Sequence, residues 1–210
     1  MKKVIIDAIK KEYQNPRCEL NFGSPFQLLV AVVLSAQCTD KRVNEVTKKL
    51  FLVAPTPQKM AQLPIEELEK YIFSCGFYHN KAKAIHELSV DLLSKFDGVV
   101  PQKMEELCSL EGVGTKTASV VQAVAFKIPA LAVDTHVFRV SNRLGIANAK
   151  TPEEMHKKLL VAVPKDFWID YHYSLVLHGR YVCKSQKPQC EKCGFAGFCA
   201  YYKQEIENVR

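Results

Sequence analysis

An all-α fold is predicted, and three observations predict it. Apolar residues recur at three- and four-residue spacing through most of the chain, the interruptions fall at proline and glycine, and strand-like stretches such as ALAV (130–133) are four residues long and have no partner. The first strong segment, SPFQLLVAVVLSA, offers Ser24 as N-cap and Pro25 at the first helical position. Phe26, Leu29, Val30, Val33 and Leu34 then form one apolar face. Asp40 is positioned to cap the next helix, in which Val43, Val46, Leu50 and Phe51 repeat the pattern until Pro55 and Pro57 stop it.

Further helices are expected at about 65–73 and 79–96, the latter turning Ile85, Leu88, Leu92 and Phe96 inward. MEELCSL then places Met104, Leu107 and Leu110 at helical spacing, and TASVVQAVAF places Ala118, Val121 and Ala125 likewise, up to about residue 126. After the connector KIPALAVDT, helices are expected near 135–144, 152–163 and 167–182. No repeat, low-complexity tract or long Gly/Ser/Pro linker interrupts the series.

A chain of 210 residues with 48% hydrophobic content can bury a substantial core. Its 29 basic and 22 acidic residues give a net charge of +7, which favours polyanionic partners without the extreme charge of a disordered tail. The opening MKKVIIDAIKK is interrupted by Asp7 and Lys10, too short and polar for a secretory segment or membrane span. A soluble intracellular protein without a targeting segment is expected.

Between the helices around 104–110 and 118–125 lies LEGVGTKTA, whose glycines and lysine invite a nucleotide-binding reading. Thr115, not glycine, precedes Lys116, so the phosphate-loop pattern of NTPases fails. Thr117 occupies the third position of the dinucleotide fingerprint, so that fails too. The glycines therefore join helix to helix. Unpaired N–H groups at a helix start still bind an anion, and a phosphate of a polymer suits the charge. With Thr115 as cap, Lys116 stands in the first turn, where the helix dipole disfavours a cation. An uncharged amine is the form that attacks an aldehyde carbon to give a Schiff base. Asp134, at the end of ALAV and the start of THVFRVSNRL, is most simply an N-cap. A carboxylate there also suits the positive charge that develops on a sugar ring during glycosidic cleavage.

The eight cysteines divide by position. Cys18, Cys38, Cys75 and Cys108 are scattered singly and read as small buried hydrophobes, whereas Cys183, Cys190, Cys193 and Cys199 crowd one segment and read as a ligand set. In that segment only Cys190 and Cys193 form a close pair. Structural zinc sites usually join two such pairs, so the spacing leans toward an iron–sulfur cube, with zinc or a disulfide as alternatives. Binding would close a loop, KSQKPQ, that presents Lys184 and Lys187 to phosphates. The six histidines show no metal-ligand spacing; His136, two residues after Asp134, is a candidate to orient that carboxylate or to contact DNA.

LEGVGTKTA, VDTHVFRVSNR about 20 residues later and the cysteine quartet together resemble the endonuclease III family, iron–sulfur DNA glycosylase/lyases of the helix–hairpin–helix superfamily. ELNFGSPFQLLVAVVLSAQCTD, GFYHNKA and LHGRYVCKSQKPQC fall in the family's order, so the resemblance runs nearly end to end. It implies a [4Fe–4S] cluster on the four cysteines, Lys116 as the Schiff-base nucleophile and Asp134 as its acidic partner. Gly112, Val113, Gly114 and Thr115 of the hairpin would hold a DNA phosphate. Gln37 and Phe77 would fill the gap left by an everted nucleotide. Phe77 replaces a leucine common in the family and Glu111 a proline, which leaves lesion preference open and adds negative charge near the phosphate.

The implied activity is removal of oxidised pyrimidines from double-stranded DNA and β-elimination 3′ to the abasic site, by a bacterial cytoplasmic monomer associated with the nucleoid through DNA. A non-catalytic iron–sulfur DNA-binding module would not need Lys116. Monofunctional mismatch glycosylases resemble the chain but lack that lysine. Two helical lobes are expected: residues 20–129 as a six-helix barrel carrying the helix–hairpin–helix, and residues 1–19 with 130–210 as the cluster lobe, with Lys116 and Asp134 facing one another.

Overall fold

The computed structural model describes residues 2–207. Among them every regular element is helical: α1 (Lys2–Glu12), α2 (Pro25–Ser35), α3 (Asp40–Val53), α4 (Pro57–Gln62), α5 (Ile65–Ile72), α6 (Tyr78–Phe96), α7 (Met104–Cys108), α8 (Thr115–Ala125), α9 (Thr135–Leu144), α10 (Pro152–Ala162), α11 (Trp168–Tyr181) and α12 (Ala200–Glu207). Short 3-10 turns occupy Lys165–Phe167, Cys190–Lys192 and Ala196–Phe198. No described helix is long and apolar enough to cross a membrane.

Local chemistry sets the boundaries. Ser24 opens α2 as expected, its hydroxyl accepting the Gln27 N–H at 3.2 Å with Pro25 behind it. The cap of α3 is Thr39 and not Asp40: the Thr39 hydroxyl accepts the Arg42 N–H at 3.3 Å, and Asp40 moves into the first turn, where its charge still complements the dipole. Pro57 opens a helix instead of stopping one. A proline at the first helical position loses no helical hydrogen bond, and the Thr56 hydroxyl caps the Lys59 N–H at 3.3 Å. Likewise Gly114, not Thr115, is the N-cap of α8. Helix α12, beyond the last cysteine, had no counterpart in the sequence reading. Of the four scattered cysteines only Cys75 is buried; Cys18 and Cys38 are half-buried and Cys108 is exposed.

The chain forms two compact units. One comprises Glu19–Ile128. Its centre is α2, apolar on every side, with each residue from Leu28 to Leu34 buried. It packs against α8, α3 and α6, while α4 and α5 cover α6 and α7 lies against α8.

The other unit joins the N-terminal segment through Cys18 to the chain from Pro129 onward. Ile5, Ile6 and Ile9 of α1, Val137, Val140 and Leu144 of α9, Met155 and Leu159 of α10, and Tyr171, Leu175 and Val176 of α11 share one core with Phe195. In its middle the Ser141 and Tyr171 hydroxyls are 2.9 Å apart, both fully buried. Burial drives the Tyr171 phenol well above its ordinary value, so it stays protonated and each hydroxyl satisfies the other.

Removing either partner orphans the other. Ser141→Ala and Tyr171→Phe are each expected to cost about 1–3 kcal/mol, and the double substitution less than their sum, since it leaves no unpaired hydroxyl. Urea denaturation of the four proteins measures the cycle.

Candidate functional site

In the Glu19–Ile128 unit, α7 ends at Cys108 and the chain turns through Leu110, whose N–H donates to the Leu107 carbonyl at 3.2 Å. Val113 donates in turn to Leu110 at 3.2 Å. Leu107, Leu110 and Val113 are buried, which anchors the hairpin from below and leaves Glu111, Gly112, Gly114, Thr115 and Lys116 exposed above. Gly112 sits at φ +72°, and a β-carbon there would lie 2.8 Å from the Ala84 methyl of α6, so conformation and space both require glycine. Gly114 starts α8 with φ −90° and no side-chain cap. The first N–H groups of α8 therefore face outward without a side-chain acceptor, and Lys116 is the second residue of that helix.

Gln37 and Phe77 occupy two other turns of this unit. Both are exposed, Phe77 by 64%, and both hold left-handed backbone, at φ 53° and 57°. Such a conformation is strained for a bulky non-glycine residue, of order 1–3 kcal/mol, and strain of this kind collects at binding sites.

In the other unit Asp134 is half-buried and caps α9, its Oδ1 accepting the Val137 N–H at 2.7 Å. The connector before it is fixed by His172 of α11, whose Nδ1–H donates to the Ala132 carbonyl at 2.9 Å. His136 lies against α11. Arg139 Nη2 donates to its Nδ1 at 3.2 Å and to the Gly179 carbonyl at 2.9 Å, while Arg139 Nε donates to the Cys183 carbonyl at 3.1 Å. Burial lowers the pKa of His136; Asp134 pulls it upward, and Arg139 and Arg180 push it further down. His136 is thus held as a neutral ring by an arginine rather than bonded to the Asp134 carboxylate.

Cys183, Cys190, Cys193 and Cys199 line one small apolar pocket together with Leu144, His178, Val182 and Tyr201 among others. Among the described residues no three His, Cys, Asp or Glu side chains converge as a single metal ion requires. Arg143 braces the loop: it donates to the Lys184 carbonyl at 2.7 Å, the Ser185 carbonyl at 3.0 Å and the Cys183 sulfur at 3.5 Å, and its guanidinium covers the Tyr201 ring at 4.5 Å. The Cys199 thiol donates to the Arg143 carbonyl at 3.2 Å. His178 Nε2 lies 3.5 Å from the Cys193 sulfur and Nδ1 2.8 Å from the Tyr13 hydroxyl. Burial takes His178 down to about 4 and, with help from Glu12, takes Tyr13 up to about 12. The pair is accordingly neutral near pH 7. Burial also pushes the Cys193 thiol up to about 11 and raises Cys199, so thiolates here need a compensating cation. Lys184 and Lys187 are exposed on the loop.

No sequence motif marks Arg139, Arg143, His172 or His178 for these roles. Arg139 and Arg143 carry one local signal, being four apart and so on one face of α9, whereas the two histidines carry none.

Residues 30–165 match the family described as HhH-GPD superfamily base excision DNA repair protein, which sets the class. The chain is 48% identical to endonuclease III of Bacillus subtilis over 195 residues, covering 92% of this chain and 89% of that protein. It is 45% identical to endonuclease III of Haemophilus influenzae over 203 residues, covering 97% and 96%. A solved structure of a trapped endonuclease III–DNA covalent intermediate superimposes with a TM-score of 0.93 at 46% identity, covering 98% of this chain and 99% of that one. The chain belongs to the endonuclease III family of the HhH-GPD superfamily.

The two hairpin glycines are not equivalent. Gly112→Ala meets both a positive φ and the Ala84 methyl and is expected to destabilise the unit by about 1–3 kcal/mol. Gly114→Ala meets no atom within 4 Å at an ordinary φ and should change stability by under ~1 kcal/mol. Thermal and urea unfolding of both variants measure the difference.

Proposed function

We propose that Lys116 is the nucleophile of this base-excision repair enzyme, a DNA N-glycosylase and abasic-site lyase acting on duplexes that contain oxidised pyrimidines or abasic sites. The observation that carries the assignment is the placement of one exposed amine on the same turn as an uncapped helix start. A phosphate held by the N–H groups of Gly114 and Thr115 at the start of α8, with Gly112 beside them, positions the DNA backbone near the amine that must reach the sugar; the Val113 N–H already donates to the Leu110 carbonyl.

The uncharged amine of Lys116 attacks C1′ of the damaged nucleotide, and the base leaves with the electrons of the glycosidic bond. Asp134, held by its cap, offers a fixed carboxylate to the positive charge that develops on the sugar. Ring opening gives a Schiff base on Lys116; loss of a C2′ proton expels the 3′ phosphate, and water releases the sugar fragment. Everting the nucleotide costs a few kcal/mol, and Gln37 and Phe77, already standing out on left-handed turns, fill the space it leaves. Glu111 repels phosphate mildly from the hairpin's exposed edge, and His136 packs behind Asp134 as a neutral contact.

Cys183, Cys190, Cys193 and Cys199 fit a [4Fe–4S] cluster. They line one pocket yet do not converge on a single ion, and the buried thiols call for a cationic core. When bound, that group would supply four thiolate–iron bonds that hold the loop and its Lys184 and Lys187 toward DNA. The protein works as a monomer in the bacterial cytoplasm, at the nucleoid through its DNA.

Borohydride reduction in the presence of an abasic-site duplex should trap a covalent adduct with the wild type and none with Lys116→Gln. Absence of the wild-type adduct would remove the lyase assignment and leave a monofunctional glycosylase or a binding module. Asp134→Asn keeps a competent cap and should slow base release by about 10²–10³-fold with little loss of stability. The purified protein should be brown and contain about four iron atoms per chain. A colourless protein holding stoichiometric zinc would overturn the cluster.

A further inference from the structure

Cys38, Cys75 and Lys81 form a cluster in the Glu19–Ile128 unit that the reaction above does not use. Cys38 follows Gln37 in the turn leaving α2, and its N–H donates to the Ser35 carbonyl at 3.1 Å. Cys75 lies two residues before Phe77 in the turn leaving α5, and its N–H donates to the Ile72 carbonyl at 2.8 Å. Burial pushes the Cys75 thiol up to about 11, and the neighbouring Cys38 thiol adds to the rise. The backbones of the two turns are also close, since a methyl group on Gly76 would stand 3.4 Å from the Gln37 carbonyl oxygen. Lys81 is buried beside them. Its ammonium donates to the Leu34 and Ala36 carbonyls at 2.9 and 2.6 Å and interacts electrostatically with both sulfurs.

We propose that Cys38 and Cys75 are an oxidation site, converted by hydrogen peroxide to a reversible disulfide that ties the Gln37 turn to the Phe77 turn. Exposure sets the order of events: Cys38 is half-buried, whereas Cys75 is 1% exposed. The Cys38 sulfur, having released its proton, attacks one peroxide oxygen; the O–O bond breaks, hydroxide leaves and takes up that proton as water, and a sulfenic acid remains. The Cys75 sulfur then attacks the Cys38 sulfur, the S–O bond breaks, and the departing hydroxide takes the Cys75 proton as a second water. Two thiols lose two electrons and two protons to one peroxide. The Lys81 ammonium stabilises the anionic sulfur at each step, and its carbonyl partners hold it in place in both redox states.

The bond reaches the DNA-facing turns because a disulfide holds its sulfurs only ~2.05 Å apart, well inside the contact distance of two thiols, so the two turns must draw together. Gln37 and Phe77, one and two residues away, move with them. Both already hold a backbone that tolerates little further distortion. Oxidation therefore lowers affinity for DNA, a consequence that rests on the assignment of Gln37 and Phe77 as gap-filling residues.

The holoprotein is treated with one equivalent of hydrogen peroxide, remaining thiols are alkylated, and the peptides are mapped by mass spectrometry. A Cys38–Cys75 cross-link is expected, reversed by dithiothreitol and absent from Cys38→Ala and from Cys75→Ala; failure to find it, or links confined to the other cysteines, overturns the site. Affinity for a duplex with a tetrahydrofuran abasic analogue should fall by about tenfold on oxidation, within the usual range of coupling between two sites. Cys38→Ala should show no such change. A cross-link with unchanged affinity overturns the coupling to the turns. If the reduced protein does not bind this duplex at all, the assignment of Gln37 and Phe77 fails, while the peptide map still decides the disulfide.

Discussion

A helix leaves backbone N–H groups unpaired at its start, and how each start is satisfied organises this molecule. Helices α2, α3, α4 and α10 begin on Ser24, Thr39, Thr56 and Thr151, whose hydroxyls cap them. Helix α8 begins on Gly114 and α6 on Phe77, neither of which can cap with a side chain. Helices α5, α7 and α11 likewise start without a side-chain cap, on Pro64, Lys103 and Phe167. What sets α8 apart is that its start lies on the exposed hairpin beside Lys116, where an anion can supply what threonine supplies elsewhere.

Helix α9 combines the two arrangements. Asp134 satisfies the helix start with one oxygen, and the same hydrogen bond fixes the carboxylate proposed to face the sugar. The cap alone would not set its position, because the connector before it has no regular structure. The His172 bond to Ala132 supplies that restraint from α11, and Arg139, one turn into α9, ties that helix to Gly179 of α11. Gly179 is small for a reason: a β-carbon there would lie 2.7 Å from His136 Nδ1. Close approach of α9 and α11 is therefore needed both for the core and for the orientation of Asp134.

The sequence made the helical class legible because period and punctuation agree along nearly the whole chain. Ser24-Pro25 marked a helix start without ambiguity. At Thr39-Asp40 and Gly114-Thr115 two adjacent residues are each able to cap, and the winner depends on which backbone angle the preceding turn delivers, a tertiary outcome. Pro57 misled for a related reason, since proline both ends and begins helices and only Thr56 before it distinguishes the cases. Lys116, Asp134 and the cysteine quartet stood out through motif spacing. What holds them did not, because Arg143 meets Lys184 and Ser185, and His172 meets Ala132, across some 40 residues of chain with no local pattern to announce it.

The cysteine loop shows how electrostatics turns a ligand set into a structural necessity. Burial alone would keep Cys193 and Cys199 protonated, and four thiolates in an apolar pocket would repel one another. The proposed iron–sulfur core would reverse both effects at once, and much of its binding free energy would then become folding free energy for the loop. Arg143 contributes a second positive charge at the rim, bonded to the Cys183 sulfur and to the carbonyls on which Lys184 and Ser185 hang. The loop's lysines, whose mutual repulsion would otherwise favour an open chain, are carried on a frame set by those bonds. The proposed cluster and the DNA contact would then form a single electrostatic arrangement: negative sulfur is partly offset inside by iron and by Arg143, and positive charge on Lys184 and Lys187 is left to face phosphate outside.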